Sequence, residues 1–357
     1  MNFRCCTARP KVSNNDDETN LTPKASYQIV GSIKDVNIKW RRSKDNPDLN
    51  RMRFDENCHL VELNLESCGI NIIPYNIGKL LYLETIVLCN NEIDYLPESI
   101  KSITTLKSIH LQNNQLKAVP RLPSSVENLY MEGNPLNDLS ALSSYTNLRR
   151  LSLQECGLTS LPDDIGDLVN LEAVELHGNH LKTLPSSFGS MSKLNRLSLH
   201  SNEISELPDS FCDLTLLTWM SLHYNQLQCL PSNIGNLKKL QRVSFHQNAL
   251  TALPDSFAEC AEMIVLSLFR NELVELPTHL YKNFTKCEKL SLHQNHFTCI
   301  PADIQYMTSL EELWIHDNKI TYLPTELNLL PNLHTIWVTD ESGQIKPCMM
   351  NCEICSI

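Results

Sequence analysis

The chain has 357 residues, of which 42% are apolar and 20% charged, and a formal net charge of −11. That balance is ordinary for a soluble folded protein and argues against general nucleic-acid binding, while leaving room for a basic partner or a local basic patch. Length alone suggests two domains, but internal self-similarity overrides that expectation.

In chain order, residues 1–25 come first, polar and rich in Asn, Asp and Thr, and are read as a disordered arm. They contain no apolar segment of the secretory kind, and no later run approaches the ~20 apolar residues of a membrane span. The expected location is cytoplasmic. Most of the 14 cysteines are isolated inside repeats, so reduced thiols are expected. Residues 26–57 are read as a capping segment, because "IKDVNIKWRRSK" alternates Val36, Ile38 and Trp40 with polar residues, as a strand covering an open sheet edge would. The alternative is a docking site made by Arg41, Arg42 and Lys44.

Residues 58–340 repeat. Aligned on LxxLxLxxNxL, units begin at Leu60 and Leu83, and the Asn slot holds Cys68, Asn91, Asn114, Asn134, Cys156, Asn179, Asn202, Asn225, Asn248, Asn271, Asn295 and Asn318. That makes twelve units, ten with Asn, spaced by 23 residues except for a 20 and a 22 after Asn114 and a 24 before Asn295. Second halves read LPxxIGxL, as in "LPDDIGDL". A thirteenth strand, "LHTIWV", follows, with Glu341 where Asn would stand, and the array is expected to stop there.

This pattern resembles leucine-rich repeats, and its 23-residue form is similar to the intracellular Ras-group class, which includes Ras-pathway scaffolds, Erbin and Scribble. The shorter unit "VPRLPSSVENLYMEGNPL" is similar to the 20-residue repeats of bacterial effector proteins. The resemblance implies an α/β leucine-rich-repeat solenoid, a horseshoe of about twelve repeats plus a terminal strand with a parallel sheet on its concave face. It also implies a non-enzymatic scaffold or adaptor in intracellular signalling, with a small GTPase or phosphatase complex as partner and no cofactor. The alternative is the substrate-recognition part of an effector or ubiquitin-ligase-type protein.

The residues point the same way. Alternation puts Leu197 and Leu199 on one strand face and Ser198 and His200 on the other, and one unit cannot bury its apolar face alone, so neighbours must stack. Thirteen strands at roughly 4.8 Å each give an inner surface of about 60 Å. Proline suits the outer segment, where no ladder needs its missing donor. Asn suits the turn, because a carboxamide both donates and accepts, whereas Cys68 and Cys156 make weaker bonds and their turns are expected to be looser.

Three files of groove residues follow. One holds His177, His200, His223, His246, Phe269, His293 and His316, the next mostly serines, the third Arg150, Arg196, Arg242 and Lys289, with Arg270 close by. The aromatics Trp219, Tyr224, Trp314 and Trp337 are interleaved, while Glu62, Glu66, Glu312, Asp317 and Asp340 flank both ends. Zinc would need three or four ligands, and no Cys or carboxylate file accompanies the histidines. Ser–His pairs recur without a singular acid, which argues against a nucleophilic site. The histidines are read as a solvated, weakly basic lining, and arginine beside aromatics is the composition of an interface. The expected partner carries an acidic, partly apolar patch, with metal or pH sensing by the histidines as a further reading. "RVSF" at 242–245 matches a phosphatase-docking motif, but Val243 and Phe245 occupy core positions, so it is discounted.

Residues 341–357 close the chain as a Cys-containing tail in which Cys348, Cys352 and Cys355, like Cys5 and Cys6 at the other end, could be S-acylated, giving a peripheral membrane attachment, or could bind metal. Ile354 and Asn2 stand where prenylation and myristoylation would need Cys and Gly.

Overall fold

The repeated Leu-x-Leu step makes a short strand whose apolar side can be buried only against its neighbours. The computed structural model describes residues 51–339 and 344–348, and among them fifteen strands form one sheet in chain order. The first is β1 (Met52–Phe54), followed by β2 (Leu60–Asn64), β3 (Thr85–Val87), β4 (Ser108–His110), β5 (Asn128–Tyr130), β6 (Arg150–Ser152), β7 (Ala173–Glu175) and β8 (Arg196–Ser198). Then come β9 (Trp219–Ser221), β10 (Arg242–Ser244), β11 (Val265–Ser267), β12 (Lys289–Ser291), β13 (Glu312–Trp314), β14 (Thr335–Thr339) and β15 (Ile345–Cys348). Strands β2 to β14 pair in parallel, unit against unit and without slip, and the chain is a leucine-rich-repeat solenoid.

Both edges are covered. Strand β1 lies antiparallel to β2, and β15 lies antiparallel to β14, so neither outermost repeat presents an open parallel ladder. Arg51 adds a side-chain cap, donating to Glu66 O at 2.8 Å and to Cys68 Sγ at 3.3 Å. The candidate capping strand around Val36 to Trp40, the basic cluster Arg41, Arg42 and Lys44, the arm of residues 1–25, and Cys5, Cys6, Cys352, Cys355 and Asp340 all lie outside the described residues.

The core runs as a continuous spine between sheet and outer turns. Leu197, Met220 and Leu266 are fully buried from the sheet side, and Phe188, Phe211 and Phe257 close it from the other. The outer turns are short 3₁₀ segments opened by proline. Pro185, for example, sits extended at φ −66° and ψ 150°, and its carbonyl accepts from Phe188 N at 2.9 Å. Proline fits there because it needs only that carbonyl. In the LPxxIGxL half, a Cβ at Gly189 would collide with the Ser210 carbonyl of the next unit, so successive outer turns touch backbone to backbone.

Unit length is absorbed on this outer side. The 20-residue unit has no helical turn between β4 and β5, whereas the 24-residue unit makes a turn of α-helix at Leu280–Asn283.

The conserved geometry of the turn after each strand comes from the Asn slot. Asn179 accepts at Oδ1 from Cys156 N and Leu158 N of the preceding unit, both at 3.0 Å, and donates from Nδ2 to Leu153 O at 2.9 Å and Leu176 O at 2.8 Å. One carboxamide therefore satisfies backbone groups of two units. The residue before every slot takes positive φ, from 52° at Glu155 to 69° at Gly178, and includes the bulky Tyr224 at 53°. Cys156 donates its thiol to Met131 O and Gln154 O at 3.3 Å but offers no carboxamide acceptor to the unit before it. Leu136 N, which an Asn at 156 would receive, turns back to Asn134 O at 2.8 Å. Both Cys turns carry a second left-handed residue, Gly69 and Gly157. The bond is thus rerouted within the preceding turn.

Candidate functional site

Side chains on alternate strand positions that do not enter the core all face the concave side, and in-register pairing lines them up across units. The first file opens each strand. Arg150, Ala173, Arg196, Trp219, Arg242, Val265 and Lys289 are direct register partners from β6 to β12, so a basic and an apolar side chain alternate without interruption. Arg150, Arg196 and Arg242 are exposed, and among the described residues none of them has an acid partner. Arg196 lies 5.2 Å from the centre of the Trp219 ring, a cation–π contact that holds the guanidinium over the file. Lys289 differs, because Glu312 takes its charge at 2.7 Å and also accepts from Trp314 Nε1 at 3.2 Å.

The middle file is Ser152, the exposed Glu175, which accepts from Gln154, then Ser198, Ser221, Ser244, Ser267 and Ser291, ended by Trp314 and Trp337, which stack on each other at 4.8 Å. The third file is a column of stacked rings. His177, His200, His223 and His246 follow one another at 4.2 to 4.3 Å between centres, Phe269 continues at 4.1 Å, and His293 and His316 at 4.3 Å.

This column is not the solvated basic lining that the sequence suggests. The rings are half-buried against each other, and burial, followed by the repulsion of neighbouring rings, pushes His200, His223, His246 and His293 down to about 4. At neutral pH these imidazoles are uncharged, and the positive charge of the groove belongs to the arginines. Serine hydroxyls bond the rings, Ser221 Oγ to His223 Nδ1 at 2.8 Å and Ser244 Oγ to His246 Nδ1 at 3.0 Å. A neutral ring that accepts the hydroxyl at Nδ1 carries its proton on Nε2.

The remaining sequence candidates fall outside the files. Tyr224 is half-exposed at the rim, its ring edge-on to His223 at 5.5 Å and His246 at 5.9 Å. Arg270 occupies the matching left-handed position two units on, bonded to Gln294 Oε1 at 2.6 Å. His316 is bonded to Asp317 at 3.1 Å and Glu62 to Arg53 at 2.9 Å, so these two flanking acids, like Glu312 on Lys289, are already engaged. Among the described residues no three His, Cys, Asp or Glu side chains come together to hold a metal ion, and the repeated Ser–His bonds are not accompanied by a carboxylate on His223 or His246. Val243 and Phe245 are buried, as the register required. Sequence reasoning overlooked Ala173 and Val265, although the strict alternation they complete can be read directly from the aligned units.

Comparison with known proteins agrees with this architecture. A profile for the leucine-rich repeat region matches residues 125–226. A leucine-rich-repeat protein of Leptospira interrogans superposes with TM-score 0.70 at 26% identity, covering 83% of this chain and 81% of that one. An internalin, InlF, of Listeria monocytogenes gives 0.68 at 19% identity, covering 78% and 83%. The Toll–Spätzle complex of Drosophila gives 0.61 at 21% identity, covering 75% of this chain and 43% of that one. No curated protein matches the sequence. Among the described residues no helix is long and apolar enough to cross a membrane.

Proposed function

We propose that this leucine-rich-repeat chain is a non-enzymatic scaffold or adaptor that works in the cytoplasm and captures a protein partner on its concave face. The fold is generally a protein-interaction module, since stacked repeats create an extended curved surface. The finer reading, a partner with an acidic and partly apolar patch, rests on one observation: exposed Arg150, Arg196 and Arg242 stand without acid partners among the described residues, on a protein of net charge −11, with Trp219 between two of them. Exposed arginine beside aromatic surface is the usual make-up of an interface centre. The likeness of the repeats to the Ras-group class makes a signalling complex built on a small GTPase or a phosphatase the natural place to look.

The test is charge reversal on exposed positions. Arg196→Glu with Arg242→Glu should lower affinity for a polyglutamate probe by about tenfold or more, roughly 1.4 kcal/mol or above. Melting temperature should hold, because both side chains are exposed. Unchanged affinity at low salt would remove the concave face from consideration.

A further inference from the structure

The alternation along the first file sets a ruler. Free arginines recur every second strand with an apolar side chain halfway between, an interval of roughly 9.6 Å at the backbone for strands ~4.8 Å apart and roughly 8.5 Å on the inner surface, where the neighbouring rings stack at 4.2 to 4.3 Å. A ligand lying along the groove, across the strands, must return an acidic side chain to the same side at that interval. An extended β-segment does so at roughly 6.7 Å or 13 Å. An α-helix comes nearest after seven residues, at roughly 10.5 Å, and is about 2–4 Å out of step between Arg150 and Arg242. Polyproline II has three residues per turn and rises ~3.1 Å per residue, so every third residue faces the same way after ~9.3 Å.

We propose, building on the concave-face reading, that the occupant is a polyproline II segment of a partner protein with an acidic residue at every third position. A chain of triangular section seated over the serine file offers one edge to Arg150, Arg196 and Arg242, one to the ring column, and one outward. Trp219, set between two arginines, supplies the flat apolar surface against which proline-rich segments pack. Polyproline II makes no internal hydrogen bonds, so its carbonyls need outside donors, and each neutral imidazole has one ring N–H to give, in a column whose ring centres lie 4.2 to 4.3 Å apart.

The test uses the full chain at low salt and fluorescence anisotropy with two labelled peptides carrying equal numbers of glutamates. One is built of Glu-Pro-Pro triplets and the other of Glu-Pro-Pro-Pro quartets, which keep the conformation and break the spacing. The triplet peptide should bind about tenfold tighter, and Arg196→Glu with Arg242→Glu should bring the two peptides to the same weak level. Equal binding of both peptides to the unaltered chain, lost in the double variant, overturns the spacing and leaves the acidic-groove reading standing. Triplet binding that survives the double variant overturns both. A helical peptide with glutamates seven apart that outcompetes the triplets overturns the polyproline conformation.

Discussion

Two ladders run the length of the solenoid, one residue per unit, and they teach opposite lessons about repetition. The Asn ladder lies in buried turns, where each carboxamide closes backbone bonds belonging to two units, as Asn179 does for Cys156, Leu158, Leu153 and Leu176. The ring ladder lies on the concave face, where each imidazole touches mainly its two neighbours and a serine. Buried backbone polarity tolerates few substitutes, so the first ladder changes only from Asn to Cys. Ring stacking tolerates any flat side chain, and Phe269 stands in the second ladder with no break in spacing.

The largest expected effect breaks the first ladder. Asn179→Ala would strand two amide donors and two carbonyls in a turn that is only 4% exposed at this residue. With a buried group left unpaired costing about 1–3 kcal/mol, partly relieved by local rearrangement, the loss should be of order 3–5 kcal/mol, read as a lower urea midpoint. His223→Phe on the other ladder should cost far less. Equal losses at both positions would erase the distinction.

Acidity separates the ladders next. The Asn ladder does not titrate. The four rings held at about 4 bind protons less readily than they would in the unfolded chain, near 6.5. Between those values the unfolded state carries more protons, so stability rises with pH across the window and is lost as pH falls from about 6.5 towards about 4. Melting temperature should therefore fall over that range. Replacing His200, His223 and His246 together by Phe should flatten the fall, and an unchanged slope would show that the rings do not carry it.

Legibility followed burial. The fold could be read because Leu197, Leu199 and their counterparts obey one rule in every unit, and no polar residue breaks it. The files of the concave face could also be read, since register is fixed by the same leucines. Their electrostatics could not. Protonation depends on ring-to-ring distance and partial burial, and the charge of Lys289 depends on whether Glu312 reaches it, which it does at 2.7 Å. Left-handed backbone before each slot was hidden as well, because Gly marks it only at Gly133 and Gly178, while Tyr224, Gln247 and Arg270 hold it by context.

The smaller effects sharpen the first ladder at its irregular points. Cys156→Asn would restore an acceptor aimed at Leu136 N and add a second donor, replacing weak thiol bonds. A gain of about 0.5–1.5 kcal/mol is expected, the net worth of one good hydrogen bond, and urea denaturation would read it. A loss instead would mean that the Cys turn, with left-handed Gly157 next to it, has its own geometry that Asn does not fit.

Tyr224→Gly probes the position just before the slot. Left-handed backbone costs a non-glycine residue about 1–2 kcal/mol, which glycine does not incur, as Gly178 illustrates two units earlier. Against this stands the loss of edge-on ring contacts to His223 and His246, worth about 0.5–1.5 kcal/mol, and the greater freedom of glycine in the unfolded chain. The terms nearly cancel, so the urea midpoint should barely move. A large loss would show that the ring of Tyr224 braces the histidine column. A clear gain would show that the tyrosine is kept at the rim against the demands of stability, as a residue selected for contact with a partner would be.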